Sequence, residues 1–213
     1  MSSKVFTIGH STHTIEKFIT LLSAHEIQAV ADVRSSPFSK FNPQFNRENL
    51  QNSLKAASIR YVFLGKELGA RSEDLACYVA DKVQYDRLAQ TPLFQSGLDR
   101  VVEGANNYRI ALMCAEKDPL DCHRTILVSR ELLKRGLIVT HILEDGSLES
   151  HTESIARLVA TLGMSMDDMF ISRDEIIDQA YRRQADRIAY DQGEWQARHA
   201  AGQNELISAG ATR

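Results

Sequence analysis

The chain has 213 residues and a formal net charge of −3. At roughly 150 residues per domain this length fits one large domain with an appendage, and 43% hydrophobic with 25% charged residues excludes a disordered or fibrous protein. No run approaches the ~18 to 20 apolar residues that span a bilayer, and no apolar leader is evident, so we expect a cytoplasmic protein without membrane contact.

Short apolar runs alternate with helical apolar stripes along most of the chain. The apolar runs predict strands at residues 5–8, 27–33, 59–64, 108–113 and 137–143. Periodicity, cap residues, Pro and Gly predict helices at 15–22, after an N-cap at Asn46, and at 72–90, 92–104, 124–136, 155–162 and 174–196. Residues 200–213 are expected to form a frayed tail.

This alternation predicts right-handed crossover connections between parallel strands. We therefore expect a three-layer α/β fold, with a mostly parallel sheet of about five strands and helices on both faces. The predicted division is an α/β domain over residues 1–147, which holds the site, and a C-terminal helical extension over 148–213. The polar helices of that extension are a candidate homodimer contact.

Charge is distributed unevenly along the sequence. Residues 34–71 contain seven basic residues and two acids, with Phe38, Phe41, Phe45 and Tyr61 among them, whereas residues 144–213 contain thirteen acids and seven arginines. The basic segment is either a solvated face or a surface that attracts an anion or a phosphate backbone.

Ligands of parallel α/β sheets bind beyond the carboxyl ends of the strands, so the residues that follow each strand are the first candidates. The candidate catalytic residues are His10, Asp32, Cys114, Glu116, Cys122 and His123. The candidate substrate-binding residues are Ser11, Arg34, Ser39, Lys66, Arg71 and Arg124. Their convergence at one sheet edge predicts a site for an anionic substrate.

Three cysteines in a chain of this size do not form a disulfide framework. Cys122 stands at a predicted helix start beside His123 and Arg124, where backbone N–H groups and cations stabilise a thiolate. Cys114 is an alternative nucleophile or a disulfide partner of Cys122. Cys77 is expected to pack in the core.

Metal binding is an alternative to a thiolate nucleophile. Cys114, Cys122, His123 and His141 are the candidate ligands, and their residue types suit zinc or iron. The seven-residue gap between the cysteines differs from the spacing of common zinc knuckles. No cofactor is evident from the sequence, and a transition metal is the cofactor left open.

In order along the chain, the motifs are Gly9-His10-Ser11, Asp32-Val33-Arg34, Leu64-Gly65 through Leu68-Gly69, Cys114-Ala115-Glu116, Cys122-His123-Arg124 and His141. On these motifs the chain resembles the bacterial and archaeal domain-of-unknown-function family 488, which has no settled activity. A weaker similarity, to rhodanese-like domains, covers the Asp-Val-Arg strand end and the strand-Cys-loop-helix unit. The loop here is longer and carries three carboxylates, which would repel an anion.

Four functions remain open at this point. The first is an enzyme with a Cys/His/Asp/Arg site for an anionic substrate, and the second is a nucleic-acid-processing or nucleic-acid-binding protein, with or without a metal. The third is a rhodanese-like sulfurtransferase. The fourth is a non-catalytic interaction module that uses the acidic helical tail.

Overall fold

The structure is a computed structural model that describes residues 3–167 and 169–193. Eight strands lie within these ranges: β1 (Lys4–Gly9), β2 (Ala29–Asp32), β3 (Arg60–Phe63), β4 (Tyr78–Val79), β5 (Lys82–Val83), β6 (Ile110–Cys114), β7 (Ile138–Ile142) and β8 (Leu148–Ser150). Six of them form the main sheet in the order β3-β2-β6-β1-β7-β8, and β4 and β5 form a separate hairpin. All neighbours in the main sheet are parallel except β7 and β8.

The helices connect the strands and cover the sheet. They are α1 (Ile15–Ala24), α2 (Arg47–Ala56), α3 (Gly65–Leu68), α4 (Tyr85–Ala89), α5 (Pro92–Asn107), α6 (Arg130–Lys134), α7 (His151–Thr161) and α8 (Arg173–Ile188). A π-helix, Arg124–Ser129, leads directly into α6. Short 3₁₀ turns occupy Pro43–Phe45, Leu75–Cys77 and Pro119–Asp121.

Residues on opposite faces of β1, β2, β6 and β7 enter two separate cores. Val5 of β1 packs with α4 to α8, whereas Phe6 packs with α1 and α2 on the opposite face. This is the pattern of a sheet buried on both sides. The predicted three-layer α/β fold is confirmed, with a sixth strand in place of about five.

The predicted helix at residues 72–90 is wrong. This segment contains a 3₁₀ turn, the β4–β5 hairpin and the short helix α4. The two turn residues Ala80 and Asp81 both have positive φ, 46° and 66°. Two such residues form the tight turn that matches strand twist, and an Ala-Asp pair carries none of the usual Asn-Gly signal for it.

The chain beyond residue 147 starts with a strand rather than a helix. β8 pairs with β7 in the main sheet, and Leu158 of α7 and Tyr181 of α8 are buried in the same core as Val5. The division into residues 1–147 and 148–213 stays a prediction. Helix α8 ends at Ile188, and the predicted helix end at Gln196 and the tail at 200–213 lie outside the described residues.

Candidate functional site

The carboxyl ends of β1, β2 and β6 meet at one edge of the sheet. The backbone N–H of His10 donates to the Cys114 carbonyl at 2.9 Å, and that of Val33 donates to the Met113 carbonyl at 3.1 Å. The three strands therefore end at the same level of the sheet. The predicted site residues at this edge belong to two hydrogen-bonded clusters, one on each side of the sheet.

The first, the arginine cluster, consists of His10, Asp32, Arg34 and Tyr61. Asp32 Oδ1 accepts from Arg34 Nε at 2.9 Å, and Asp32 Oδ2 accepts from Arg34 Nη2 at 2.7 Å. The Tyr61 hydroxyl donates to Asp32 Oδ2 at 2.8 Å. Asp32 and Arg34 are both buried, so this paired charge joins the ends of β2 and β3 and does not face solvent.

His10 is the neutral member of the arginine cluster. A carbonyl oxygen can only accept, so the 2.9 Å contact with the Ser11 carbonyl places a proton on His10 Nδ1. His10 Nε2 is then free to accept from Arg34 Nη1 at 3.1 Å. Burial and the charge of Arg34 lower the pKa of His10 to about 4. The ring also stacks on Phe45, with centroids 4.3 Å apart. This geometry suits positioning, and the role of His10 as proton carrier stays a prediction.

The second, the cysteine cluster, consists of Cys114, Glu116, Cys122 and His123. His123 Nδ1 lies 3.7 Å from Cys114 Sγ and 3.9 Å from Cys122 Sγ. Cys122 Sγ lies 2.9 Å from Glu116 Oε2. Both cysteines and the histidine are buried, whereas Glu116 is exposed along part of its length. Glu116 therefore connects the buried thiols with solvent.

The orientation of the His123 ring determines what the cysteine cluster can bind. His123 Nε2 lies 3.0 Å from the Val33 carbonyl oxygen, so Nε2 carries a proton and Nδ1 faces the two sulfurs. Burial opposes protonation of His123, but contact with Cys122 outweighs it and raises the pKa of His123, so a metal ion bound at Nδ1 would displace a proton from it. The three ligand atoms lie within 4.8 Å of one another. Tetrahedral zinc with ordinary bond lengths separates sulfur and nitrogen ligands by about 3.6 Å. A carbonyl behind the imidazole is also the usual support of a metal-bound histidine.

The two thiols differ in their electrostatic surroundings. Burial and contact with Cys122 raise the pKa of Cys114 well above the ordinary range. Burial also opposes ionisation of Cys122, but contacts with Cys114, Arg124 and His123 outweigh it and lower the pKa of Cys122 well below that range. Burial and the nearby Cys122 raise the pKa of Glu116. Within this pair, the surroundings favour ionisation of Cys122 over Cys114, and burial beside Cys122 favours the protonated form of Glu116.

Arg124 and Gly9 fix the backbone beside the cysteine cluster. The buried guanidinium of Arg124 donates from Nη1 to the Glu116 carbonyl at 2.8 Å and from Nη2 to the Lys117 carbonyl at 3.3 Å, and its backbone N–H donates to Cys122 Sγ at 3.4 Å. A Cβ at Gly9 would lie 1.9 Å from the Glu116 carbonyl oxygen, so only glycine allows this approach. Arg124 uses these donors within the protein, and its role in binding substrate stays a prediction.

His141 is not part of the cysteine cluster. His141 Nδ1 lies 2.7 Å from Thr7 Oγ1, and its Nε2 lies 3.1 Å from His151 Nδ1. His151 Nε2 in turn lies 2.6 Å from the Tyr181 hydroxyl. The structure thus brings together three of the four predicted metal ligands and places His141 in a separate buried network.

The remaining predicted binding residues lie around the edge. Lys66 and Arg71 are exposed and line a cleft of about 610 Å³. Ser39 shapes its own loop, because Ser39 Oγ accepts from the Phe41 N–H at 3.2 Å. Ser11 has a φ of 48°, and its carbonyl is held by His10.

Sequence reasoning missed three aromatic residues of these clusters. Phe45 and Tyr61 belong to the basic and aromatic segment, but that pattern indicated a surface rather than contacts with His10 and Asp32. Tyr85 is buried, and burial together with the charges of Cys122 and Cys114 raises its pKa well above the ordinary range. Tyr85 falls in the helix that was wrongly predicted, and no signal in the sequence marked it.

Fold and site together define a three-layer α/β protein with a buried cysteine–histidine cluster at the carboxyl edge of its sheet. Residues 14–130, more than half of the chain, match the family model described as Domain of unknown function DUF488. The chain therefore belongs to the DUF488 family, which confirms the resemblance found in the sequence. No curated protein and no solved structure gave a significant match. Across residues 3–167 and 169–193, none of the helices combines the length and apolarity needed to cross a bilayer.

Proposed function

We propose that this chain is an enzyme that binds a thiophilic divalent metal ion at Cys114, Cys122 and His123 and acts on an anionic substrate. The observation that carries the proposal is the convergence of two sulfurs and His123 Nδ1 within 4.8 Å of one another. Thiolate and imidazole are ligands that zinc prefers, and three protein ligands are typical of a catalytic rather than a structural zinc site.

A bound ion of this kind would supply Lewis acidity at its open coordination position. Glu116 is placed to take or give a proton at Oε2, because this atom lies beside Cys122 while the residue extends to solvent. The hydrogen bond from Arg124 Nη1 to the Glu116 carbonyl holds the backbone of Glu116 beside the cysteine cluster. Lys66 and Arg71, exposed at the same edge of the sheet, would attract the substrate's negative charge.

Metal analysis of protein purified without chelator tests the binding step. We expect about one zinc-class ion per chain in the wild type, and loss of that ion in Cys114→Ala and Cys122→Ala. Cys77→Ala is the matched control, because Cys77 is equally buried but does not belong to the ligand set. Circular dichroism spectra of all variants establish that each is folded.

Reconstitution with Co²⁺ gives an independent readout. Thiolate-to-cobalt charge-transfer bands are expected for the wild type and for Cys77→Ala, with loss of intensity in Cys114→Ala. The metal proposal is contradicted if the wild type takes up neither Zn²⁺ nor Co²⁺, or if Cys122→Ala binds them as tightly as the wild type does.

The catalytic step is tested with Glu116→Gln. This variant should keep its metal but hydrolyse a chromogenic phosphodiester, used as an anionic probe, about 10² to 10⁴-fold more slowly than the wild type, which is the usual contribution of one acid/base group. Equal rates for the two proteins would remove Glu116 from this role.

A second candidate is a metal-free enzyme with Cys122 as thiolate nucleophile. It is favoured by the Arg124 N–H directed at Cys122 Sγ. Wild-type protein that contains no metal but reacts with iodoacetamide well below the pH at which ordinary cysteines react would support this candidate, provided that Cys122→Ala abolishes the reaction.

A rhodanese-like loop finds less support. The N–H groups of Leu120, Asp121 and Cys122 donate to Asp118 and Pro119 within the loop, so they do not form a cradle around Cys114. Cytoplasmic location, a homodimer through the C-terminal helices, and a non-catalytic role for those helices stay predictions.

A further inference from the structure

The loop that follows β2 exposes two phenylalanines although the loop itself is firmly held. Phe38 is 64% exposed and Phe41 is 94% exposed. The Ser39 N–H donates to Asn46 Oδ1 at 2.7 Å, and Ser39 Oγ accepts from the backbone N–H of Phe41 at 3.2 Å. Fixed aromatic rings that face water are typical of a binding surface.

Cations without carboxylate partners lie on this loop and on the segments that contact it. Two of them, Arg47 and Arg71, lie over the rings of Phe63 and Tyr190. Among the ion pairs of the described residues, none involves Lys40, Arg47, Lys66 or Arg71. The acid next to Lys66, Glu67, is paired with Arg100. Glu73 and Asp74 line the neighbouring cleft together with Lys66 and Arg71, so the wall of the cleft carries both signs of charge.

This surface adjoins the arginine cluster at the carboxyl edge of the sheet. Arg34 Nη2 donates to the Phe45 carbonyl at 2.9 Å, so the loop rests on the arginine cluster. On its other side, Arg71 N–H donates to Ser35 Oγ at 3.0 Å, and Ser35, Lys66 and Arg71 line the 610 Å³ cleft. A ligand lying across the loop would therefore extend along the carboxyl edge of the sheet.

We propose that this surface, the basic-aromatic rim (Phe38, Lys40, Phe41, Arg47, Lys66 and Arg71), binds single-stranded nucleic acid. Exposed phenyl faces stack on unpaired bases, and the cations between them neutralise phosphates. A duplex would hide its bases from Phe38 and Phe41. A bilayer would require a continuous apolar face, whereas here Lys40 lies between the two rings in sequence. The binding is independent of the metal; that the strand is also the substrate rests on the proposed function.

Fluorescence anisotropy with a labelled single-stranded oligonucleotide tests this proposal, using a strand longer than the ~4 to 16 nucleotides that one such surface covers. We expect binding that weakens as salt increases. Phe41→Ala should weaken binding by about fivefold or more, since stacking contributes ~1 to 3 kcal/mol per base. Lys40→Gln should weaken it and reduce the salt slope by about 0.7.

Lys55→Gln is the matched control. Lys55 is exposed and also unpaired in the described residues, but it lies in the last turn of α2, at the opposite edge of the sheet. This variant should bind like the wild type. Phe41, Lys40 and Lys55 are all exposed, so none of the three substitutions removes core packing.

The proposal is overturned if the protein does not bind the oligonucleotide at low salt, or if Lys55→Gln weakens binding as much as Lys40→Gln does. It is also overturned if a duplex binds as tightly as a single strand and its binding is insensitive to Phe41→Ala. Binding to vesicles of anionic phospholipid but not to oligonucleotides would overturn it as well. Cys122→Ala should keep its affinity for the oligonucleotide. If the protein binds no metal, binding of the oligonucleotide is still expected. If the protein binds metal but not the oligonucleotide, the proposal for the basic-aromatic rim is contradicted and the metal proposal is not.

Discussion

At the scale of single residues, the buried histidines differ in what their ring nitrogens face. Both nitrogens of His10 are engaged, one by a carbonyl and one by Arg34. His141 and His151 face each other and two hydroxyl groups. His123 faces a carbonyl on one side and two sulfurs on the other. Of these four rings, His123 is the one with a nitrogen that faces two cysteine sulfurs.

The buried state of His151 predicts a loss of stability in acid. Burial lowers the pKa of His151 to about 4 from 6.5. His151 therefore binds a proton near pH 6.5 in the unfolded chain, but only near pH 4 in the folded protein. The stabilisation is complete above the unfolded pKa and is lost as pH falls through this window, by up to about 1.4 kcal/mol per pH unit.

Urea unfolding of the wild type and of His151→Gln between about pH 7 and pH 5 measures this effect. His141 and Tyr181 face His151, so the variant should be less stable at neutral pH. Its unfolding free energy should nevertheless fall less steeply towards acid than that of the wild type. Parallel pH profiles for the two proteins would show that His151 does not titrate as its burial requires.

Residue-scale features were only partly predictable from the sequence. The strand-end rule identifies which residues lie at the carboxyl edge. It does not identify the face: Asp32 is bonded to Arg34 and Tyr61 on one side, whereas Cys114 lies in the opposite core with Cys122. The carbonyl that orients His123 comes from Val33, 90 residues earlier in the chain, and no local pattern records such a contact.

At the scale of elements, long periodic segments were predicted and short ones were not. Apolar runs predicted all five parallel strands. The runs are strongest where both faces are buried, in β1, β2, β6 and β7, whereas β3, at the edge of the sheet, is partly exposed. The three-residue strand β8 and the four-residue helix α3 are too short to show a period. The π-helix Arg124–Ser129 looks helical in sequence, and its wider turn appears only in the structure. Such turns recur at functional sites.

The start of α7 offers an element-scale prediction. Ser150 Oγ accepts from the Glu153 N–H at 3.2 Å, and Glu153 Oε2 accepts from the Ser150 N–H at 2.7 Å, which is a reciprocal cap. Ser150→Ala should lower the free energy of unfolding by about 1 kcal/mol. Ser96→Ala, within α5 and away from any cap, is the control and should change it much less. Equal effects in thermal or urea unfolding would mean that the cap contributes little.

At the scale of the whole molecule, the C-terminal helices complete the core rather than stand apart from it. Ile155 and Leu158 of α7, together with Ile176 and Tyr181 of α8, are buried in the core that also contains Cys114. Each large apolar side chain removed from water contributes roughly 1.5 to 3 kcal/mol. The four side chains together contribute about 6 to 12 kcal/mol, which is comparable to the ~5 to 15 kcal/mol that holds an ordinary domain folded.

We therefore expect that a chain shortened to residues 1–147 does not fold cooperatively. Thermal unfolding followed by circular dichroism should show a broad transition in place of a sharp one, with strong binding of a hydrophobic dye before heating. A sharp transition together with wild-type metal content would instead establish residues 1–147 as an independent domain.

The central position of β1 has a consequence for synthesis. β1 is synthesised well before its partners β6 and β7, because Val5 pairs with Ile110 and Val139. Pairing over such sequence distances makes folding slow. The centre of the main sheet, where β1 lies between β6 and β7, therefore cannot form until residue 142 has been synthesised. Until then we expect the thiols of Cys114 and Cys122 to be accessible to metal ions and oxidants. We expect the insertion of β1, which brings Gly9 against the Glu116 backbone, to end this accessibility.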